Sequence, residues 1–128
     1  MEHKHLIVRC LANKGPNNKK DIENWLISLI SKIGMKLLIS VDKKCNPTIA
    51  YCNKKGNKGF TAAALIDTSH IVLHTWDEIS PNMISIDVYS CSNFELDAVI
   101  NHAKIWDIIN VEYMYIDRSS ELKLLKKY

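Results

Sequence analysis

The sequence predicts an α+β fold, a two-layer sandwich in which a largely antiparallel sheet carries two helices on one face. Three observations lead there. Two stretches place apolar residues at helical spacing, near 22–33 and 96–103. Between them lie short apolar or alternating runs of strand length. Several of these runs follow one another almost without a gap, separated only by turn residues.

In chain order, "HLIVRCLA" (5–12) reads as a buried strand and "NKGPNN" as a loop. Ile22, Trp25, Leu26, Leu29, Ile30 and Ile33 then mark one face of an amphipathic helix that Gly34 ends. "MKLLISV" (35–41) is predicted to be a strand, "DKKCNP" a break and "TIAYC" a short strand. "FTAAALID", "HIVLHTW" and "MISIDVYS" are three further strands, the last alternating at period two. "SNFE" (92–95) fits the S-x-x-E capping box. It opens a helix whose Leu96, Val99, Ile100 and Ala103 share a face. "NVEYMYI" (110–116) is a last strand, and the tail from Ser119 is expected to form a short surface helix. The order is β-α-β-(β)-β-β-β-α-β. With no repeat or linker, residues 1–128 are expected to form one domain. Helices cover one sheet face; the other needs a partner, and a homodimer is the usual solution.

Composition narrows the function classes. No apolar run reaches the roughly 18 residues that span a bilayer, and "MEHKHLIVRC" lacks the apolar core of a signal peptide. The expectation is a soluble cytoplasmic protein without a membrane partner. The net charge is +3, and the lysines are scattered apart from "NKKGNK" and "KLLKKY". That is a poor footprint for nucleic acid. Cys10, Cys45, Cys52 and Cys91 form no C-x-x-C pair, and the 45/52 spacing does not suit zinc. Disulfides are not expected in this context.

The chemistry-bearing residues concentrate in "DTSHIVLHTWDE" (67–78). Strand parity places Thr61, Ala63, Leu65, Asp67 and Ser69 on one face. His70, Val72, His74 and Trp76 share a face of the next strand; Ser85, Asp87, Tyr89 and Cys91 share one of the third. If the three strands are neighbours, Ser69, His74, Thr61 and Cys91 come within reach of one another. Hydroxyl, imidazole and thiol together support nucleophilic and acid–base chemistry. The same residues also fit structural roles: Ser69 in a turn, Asp87 in a local pair, Cys91 in the core. A Ser–His–Asp hydrolase is a poor fit, because the G-x-S-x-G elbow is absent. His70 and His74 lack a third metal ligand, so no metal is expected.

"SHIVLHTWDE" followed by "IDVYSC" resembles the short prokaryotic class of S-adenosylmethionine decarboxylases, whose pattern is roughly E-S-H-x-x-x-H-T-W-P-E and then D-[VLI]-[FY]-[TS]-C. "GFTAAALI" is similar to the family's G-x-S-G strand, with Thr61 for the serine. "KHLIVRC" and "VEYMYIDR" resemble its first and last strands. The resemblance implies a self-processing enzyme. The chain would be cut between Thr68 and Ser69 by an N-to-O acyl shift, and Ser69 would become a covalent pyruvoyl group. His74 would take the α-proton during elimination, assisted by the Thr61 hydroxyl. The pyruvoyl ketone would form a Schiff base with S-adenosylmethionine, and Cys91 would return a proton to the α-carbon. Substrate contacts would fall to Thr68, His70, Trp76 and Glu78. The product would supply aminopropyl groups for spermidine. The sequence departs from the pattern at Thr68, where the family has Glu; "HTWDE" replaces "HTWPE"; and "NKKGNKG" lacks the family's aromatic and proline. These departures keep two other readings in view: a pyruvoyl decarboxylase of another amino acid, and an unprocessed homologue that binds or cleaves S-adenosylmethionine without a pyruvoyl group.

Overall fold

A computed structural model describes residues 2–39 and 45–128. It is an α+β sandwich: a seven-stranded antiparallel sheet with two helices packed on one face. The strands are β1 (Lys4–Ala12), β2 (Thr48–Cys52), β3 (Gly59–Ile66), β4 (Ser69–Trp76), β5 (Asn82–Ser90), β6 (Ile108–Asp117) and β7 (Lys123–Lys127). Their order across the sheet is β2-β3-β4-β5-β1-β6-β7. The helices are α1 (Lys19–Lys32) and α2 (Leu96–Ala103).

The alternation read from the sequence is the alternation of burial. On β4, Ser69, Ile71, Leu73 and Thr75 are buried, while His70, Val72, His74 and Trp76 are half-buried on the other face. Leu6, Val8 and Cys10 of β1 and Ile84, Ile86 and Val88 of β5 join the same core. α1 covers them with Ile22, Trp25, Leu26, Leu29 and Ile30, the residues its periodicity selects. Asn18 starts this helix by accepting the Asp21 amide at 2.9 Å, which satisfies a donor the first turn leaves free. α2 adds Val99 and Ala103. Among the described residues, no helix lies over the second sheet face. It shows Ile7, Leu65 and Met114, each between 38% and 45% exposed. Among the described residues, no helix is long and apolar enough to cross a membrane.

Three expectations are corrected. The strand expected at 35–41 is reduced to an isolated bridge, Leu37 with Ile66; residues 40 and 41 lie outside those described. The Asn46 side chain takes the place of a strand there. It donates to the Leu38 and Leu65 carbonyls and accepts from the Leu65 amide. The tail is a strand, not a helix. Its Tyr128 exchanges both backbone hydrogen bonds with Tyr113, and the two rings stack. Pairing satisfies the β6 edge, which a helix would leave open. The capping box at 92–95 does not form. The fully buried Ser90 hydroxyl donates to the Ser92 carbonyl and accepts the Ser92 amide. Ser92 is thereby drawn back toward β5, and α2 begins only at Leu96, without a side-chain cap.

Candidate active site

A two-residue turn, Asp67–Thr68, joins β3 to β4, with Ile66 paired to Ser69 across its base. Thr68 has φ +50°. For a β-branched residue this left-handed conformation is strained, because Cβ crowds the backbone. Such a turn favours glycine or asparagine. This chain keeps a threonine immediately before the serine whose backbone bond is in question.

Cys91 clamps both sides of the turn. Its amide donates to Ser69 Oγ at 2.8 Å, and its thiol donates to the Asp67 carbonyl at 3.2 Å. Ser69 is only 9% exposed. Its hydroxyl is therefore held beside the peptide bond that precedes it.

Thr61 and His74 form a second pair. They sit opposite each other on β3 and β4, and Thr61 Oγ1 lies 3.1 Å from His74 Nδ1. The single cluster expected from parity is thus two clusters. The turn places Ser69 at the start of β4, not at the end of β3, so its face must be counted along β4. Five residues separate it from His74, which puts the two side chains on opposite faces and roughly 16 Å apart along the strand. Within one chain, Ser69 meets Cys91, and Thr61 meets His74.

Trp76 and Glu78 lie at the far end of β4. Trp76 pairs with Met83, and the Glu78 carboxylate accepts the Gly56 amide at 2.6 Å. Asp77 accepts the Tyr51 hydroxyl nearby. These contacts tie down the 53–58 loop. His70 and Thr68, by contrast, stand at the Ser69 end.

His70 belongs to a polar group on the open face. His5 Nε2 and His70 Nε2 both donate to Asp87 Oδ1, at 2.9 and 3.0 Å. Arg118 Nη1 donates to His5 Nδ1 at 3.0 Å, and its guanidinium lies 4.6 Å from the centre of the Tyr89 ring. Tyr89 OH meets His3 Nδ1. Asp117 holds this corner: Ser119 hydrogen bonds, aided by Lys4, keep its carboxyl down at about 2. The sequence reading missed His3, His5 and Arg118. A signal was available for His5, since His5, Ile7 and Arg9 share one parity on β1. Three ligand atoms from His5, His70 and Asp87 lie within 4.8 Å of one another, close enough for a metal. Here the two imidazoles share one carboxylate oxygen, Asp87 Oδ1.

A cleft of about 640 Å³ lies on the helical side, lined by residues that include Asp21, Asn24, Trp25, His102 and Trp106. None of the residues around Ser69 or His74 reaches it.

Comparison with known proteins agrees with this architecture. Residues 5–119 match the family model for S-adenosylmethionine decarboxylase. S-adenosylmethionine decarboxylase proenzymes from Methanococcus maripaludis strains C5 and C7 are each 27% identical over 90 residues. The match covers 69% of this chain and 64% of theirs. The crystal structure of the adenosylmethionine decarboxylase from Aquifex aeolicus VF5 is similar in fold, with a TM-score of 0.63. It is 16% identical, over 98% of this chain and 93% of that one.

Proposed function

This chain belongs to the S-adenosylmethionine decarboxylase family, and we propose that it cuts itself before Ser69 and then decarboxylates S-adenosylmethionine in the cytoplasm, supplying aminopropyl groups for spermidine. One observation carries the reading: Ser69 Oγ is held at 2.8 Å by the Cys91 amide, directly after a threonine at φ +50°. Strain before the bond and a fixed hydroxyl after it are what an acyl shift uses.

In the processing step, Ser69 Oγ attacks the Thr68 carbonyl carbon. The C–N bond breaks as the ester C–O bond forms, and the Ser69 amine is released. Removal of the Ser69 α-proton then expels the Thr68 carboxylate, and hydrolysis of the remaining enamine releases ammonia. Neutral imidazole suits the proton removal, and this role falls to His74, whose Nδ1 is oriented by the Thr61 hydroxyl. Once formed, a pyruvoyl ketone supplies an electrophile for a primary amine and a sink for the electrons left by departing carbon dioxide. Cys91, beside the turn, is placed to return a proton to the substrate's α-carbon.

His74 cannot serve the Ser69 of its own β4 in this arrangement. A homodimer packed open face to open face would bring His74 and Thr61 of a second copy to the Ser69 end of the first. The exposed Ile7, Leu65 and Met114 on that face support such a dimer.

The test is the intact mass of freshly purified protein. Fragments of 68 and 60 residues are expected from the wild type and a single chain from Ser69→Ala. A wild-type chain that stays whole would sink the proposal. That outcome would favour the second reading, an unprocessed homologue, for which Thr68 in place of the family's glutamate is the motivating feature.

A further inference from the structure

The polar group on the open face has a direction. Arg118 Nη1 lies 3.0 Å from His5 Nδ1. A guanidinium can only donate, so His5 Nδ1 accepts and the ring proton sits on Nε2. That Nε2 donates to Asp87 Oδ1. The same oxygen receives His70 Nε2 at 3.0 Å. A carboxylate only accepts, so His70 also carries its proton on Nε2. Its Nδ1 is left as a lone pair, takes part in no described hydrogen bond, and belongs to a side chain 40% exposed.

The donor that sets this order is itself anchored. The Arg118 amide donates to the His3 carbonyl at 2.8 Å, and the His3 amide donates to Ser119 Oγ. The groups facing His70 are Leu65 from β3, Asp87 and Tyr89 from β5, and His5 from β1, with Arg118 behind His5.

We propose that His70 Nδ1 is the acceptor for the substrate's α-ammonium group, and that Arg118, His5 and Asp87 are positioning residues that hold it in that tautomer. The inference rests on the reading of Ser69 given above. A ketone formed at Ser69 Cα lies about 3.8 Å from His70 Cα, the separation of consecutive residues. His70 thus follows the reacting carbon directly in the backbone, with its ring on the open face of β4, the face to which the proposed dimer brings His74 of a second copy. A primary amine attacks a ketone only as the free base. The proton leaves the ammonium nitrogen, its N–H bond breaks, and a new N–H bond forms at His70 Nδ1. The resulting imidazolium keeps Nε2–H on the Asp87 carboxylate, which balances its positive charge. This is the carboxylate–imidazole arrangement that orients a base.

Nitrogen-15 NMR of the histidines in Ser69→Ala protein reads the tautomers without any cutting. His5 and His70 should both appear as Nε2–H forms, and Arg118→Met should release His5 from that single form. A His70 proton on Nδ1 overturns the proposal. In processed enzyme, His70→Phe should lower kcat/KM by roughly 10²- to 10⁴-fold while both fragments still appear by mass. Asp87→Asn should lower kcat/KM by less than His70→Phe does, since the base itself remains, and displace the pH profile, which a purely structural role would not move. Undiminished kcat/KM in processed His70→Phe overturns this role alone; a wild-type chain that never processes overturns the functional reading and this role together. Should His70→Phe fail to process, the Asp87→Asn pH profile decides, and an unmoved profile counts against the relay.

Discussion

At the residue scale, Thr68 is the position where sequence, strain and chemistry meet. A left-handed conformation costs an L-residue roughly 1–2 kcal/mol, and glycine escapes that cost while losing some entropy on folding. Thr68→Gly in a Ser69→Ala background should therefore raise stability to urea by about 1 kcal/mol. In the self-cutting chain the same change should slow the appearance of fragments roughly fivefold, since strain of that size relieved in the transition state is worth about that much in rate. Fragments appearing at an unchanged or faster rate would separate the strain from the chemistry. Much of this site was legible. Ser69, His74, Thr61 and Cys91 are visible by residue type and spacing. What the sequence did not reveal is which face Ser69 occupies, because that depends on whether the residue closes β3 or opens β4, a difference of one residue in the placement of a tight turn. His5 and Arg118 escaped because they are 113 residues apart, and nothing local links them.

At the scale of elements, periodicity predicted α1 and the central strands because each buries one face. It failed where side chains replace backbone partners: Asn46 displaces a strand at 37–39, and Ser90 draws off the capping serine. Two elements carry predictions of their own. Gly59 opens β3 so close to β4 that a Cβ there would collide with the Thr75 carbonyl. Gly59→Ala should destabilise the fold by about 1–3 kcal/mol, the usual range for overpacking, read as a lower urea midpoint. Between the helices, His102 Nε2 donates to the Trp25 carbonyl at 2.9 Å, and Lys32 Nζ donates to His102 Nδ1. Burial, with Lys32 adding to it and the Trp25 carbonyl opposing it, holds the His102 pKa below its usual 6.5. The unfolded chain then takes up this proton first as pH falls. Stability from His102 is present above about 6.5 and is lost as pH drops through that value toward the lower folded one. His102→Asn should remove this part of the acid sensitivity between pH 7 and 5; urea midpoints whose pH dependence matches wild type would refute the assignment.

For the whole molecule, the candidate site residues of one chain form two separate pairs, with Ser69 and His74 on opposite faces of β4. Ser69 with Cys91 stands at the turn, and Thr61 with His74 lies roughly 16 Å along β4. The two helices cover one sheet face, and the other shows Ile7, Leu65 and Met114 partly exposed. If a second copy completes each site, the two pairs need not come from the same chain. Ser69→Ala protein lacks the attacking hydroxyl but retains His74. His74→Ala protein retains the bond but lacks the base. Neither should yield the 68- and 60-residue fragments alone. After the two are unfolded, mixed and refolded, each mixed dimer contains one intact site, made of Ser69 from one chain and His74 from the other. Random pairing makes about half the dimers mixed, so roughly half of the His74→Ala chains should be cut. The measurement is the intact-mass spectrum of the mixture against each variant refolded alone. Cutting only when both residues share a chain would show that each copy works by itself, and that the strand must rearrange to bring its own His74 to Ser69.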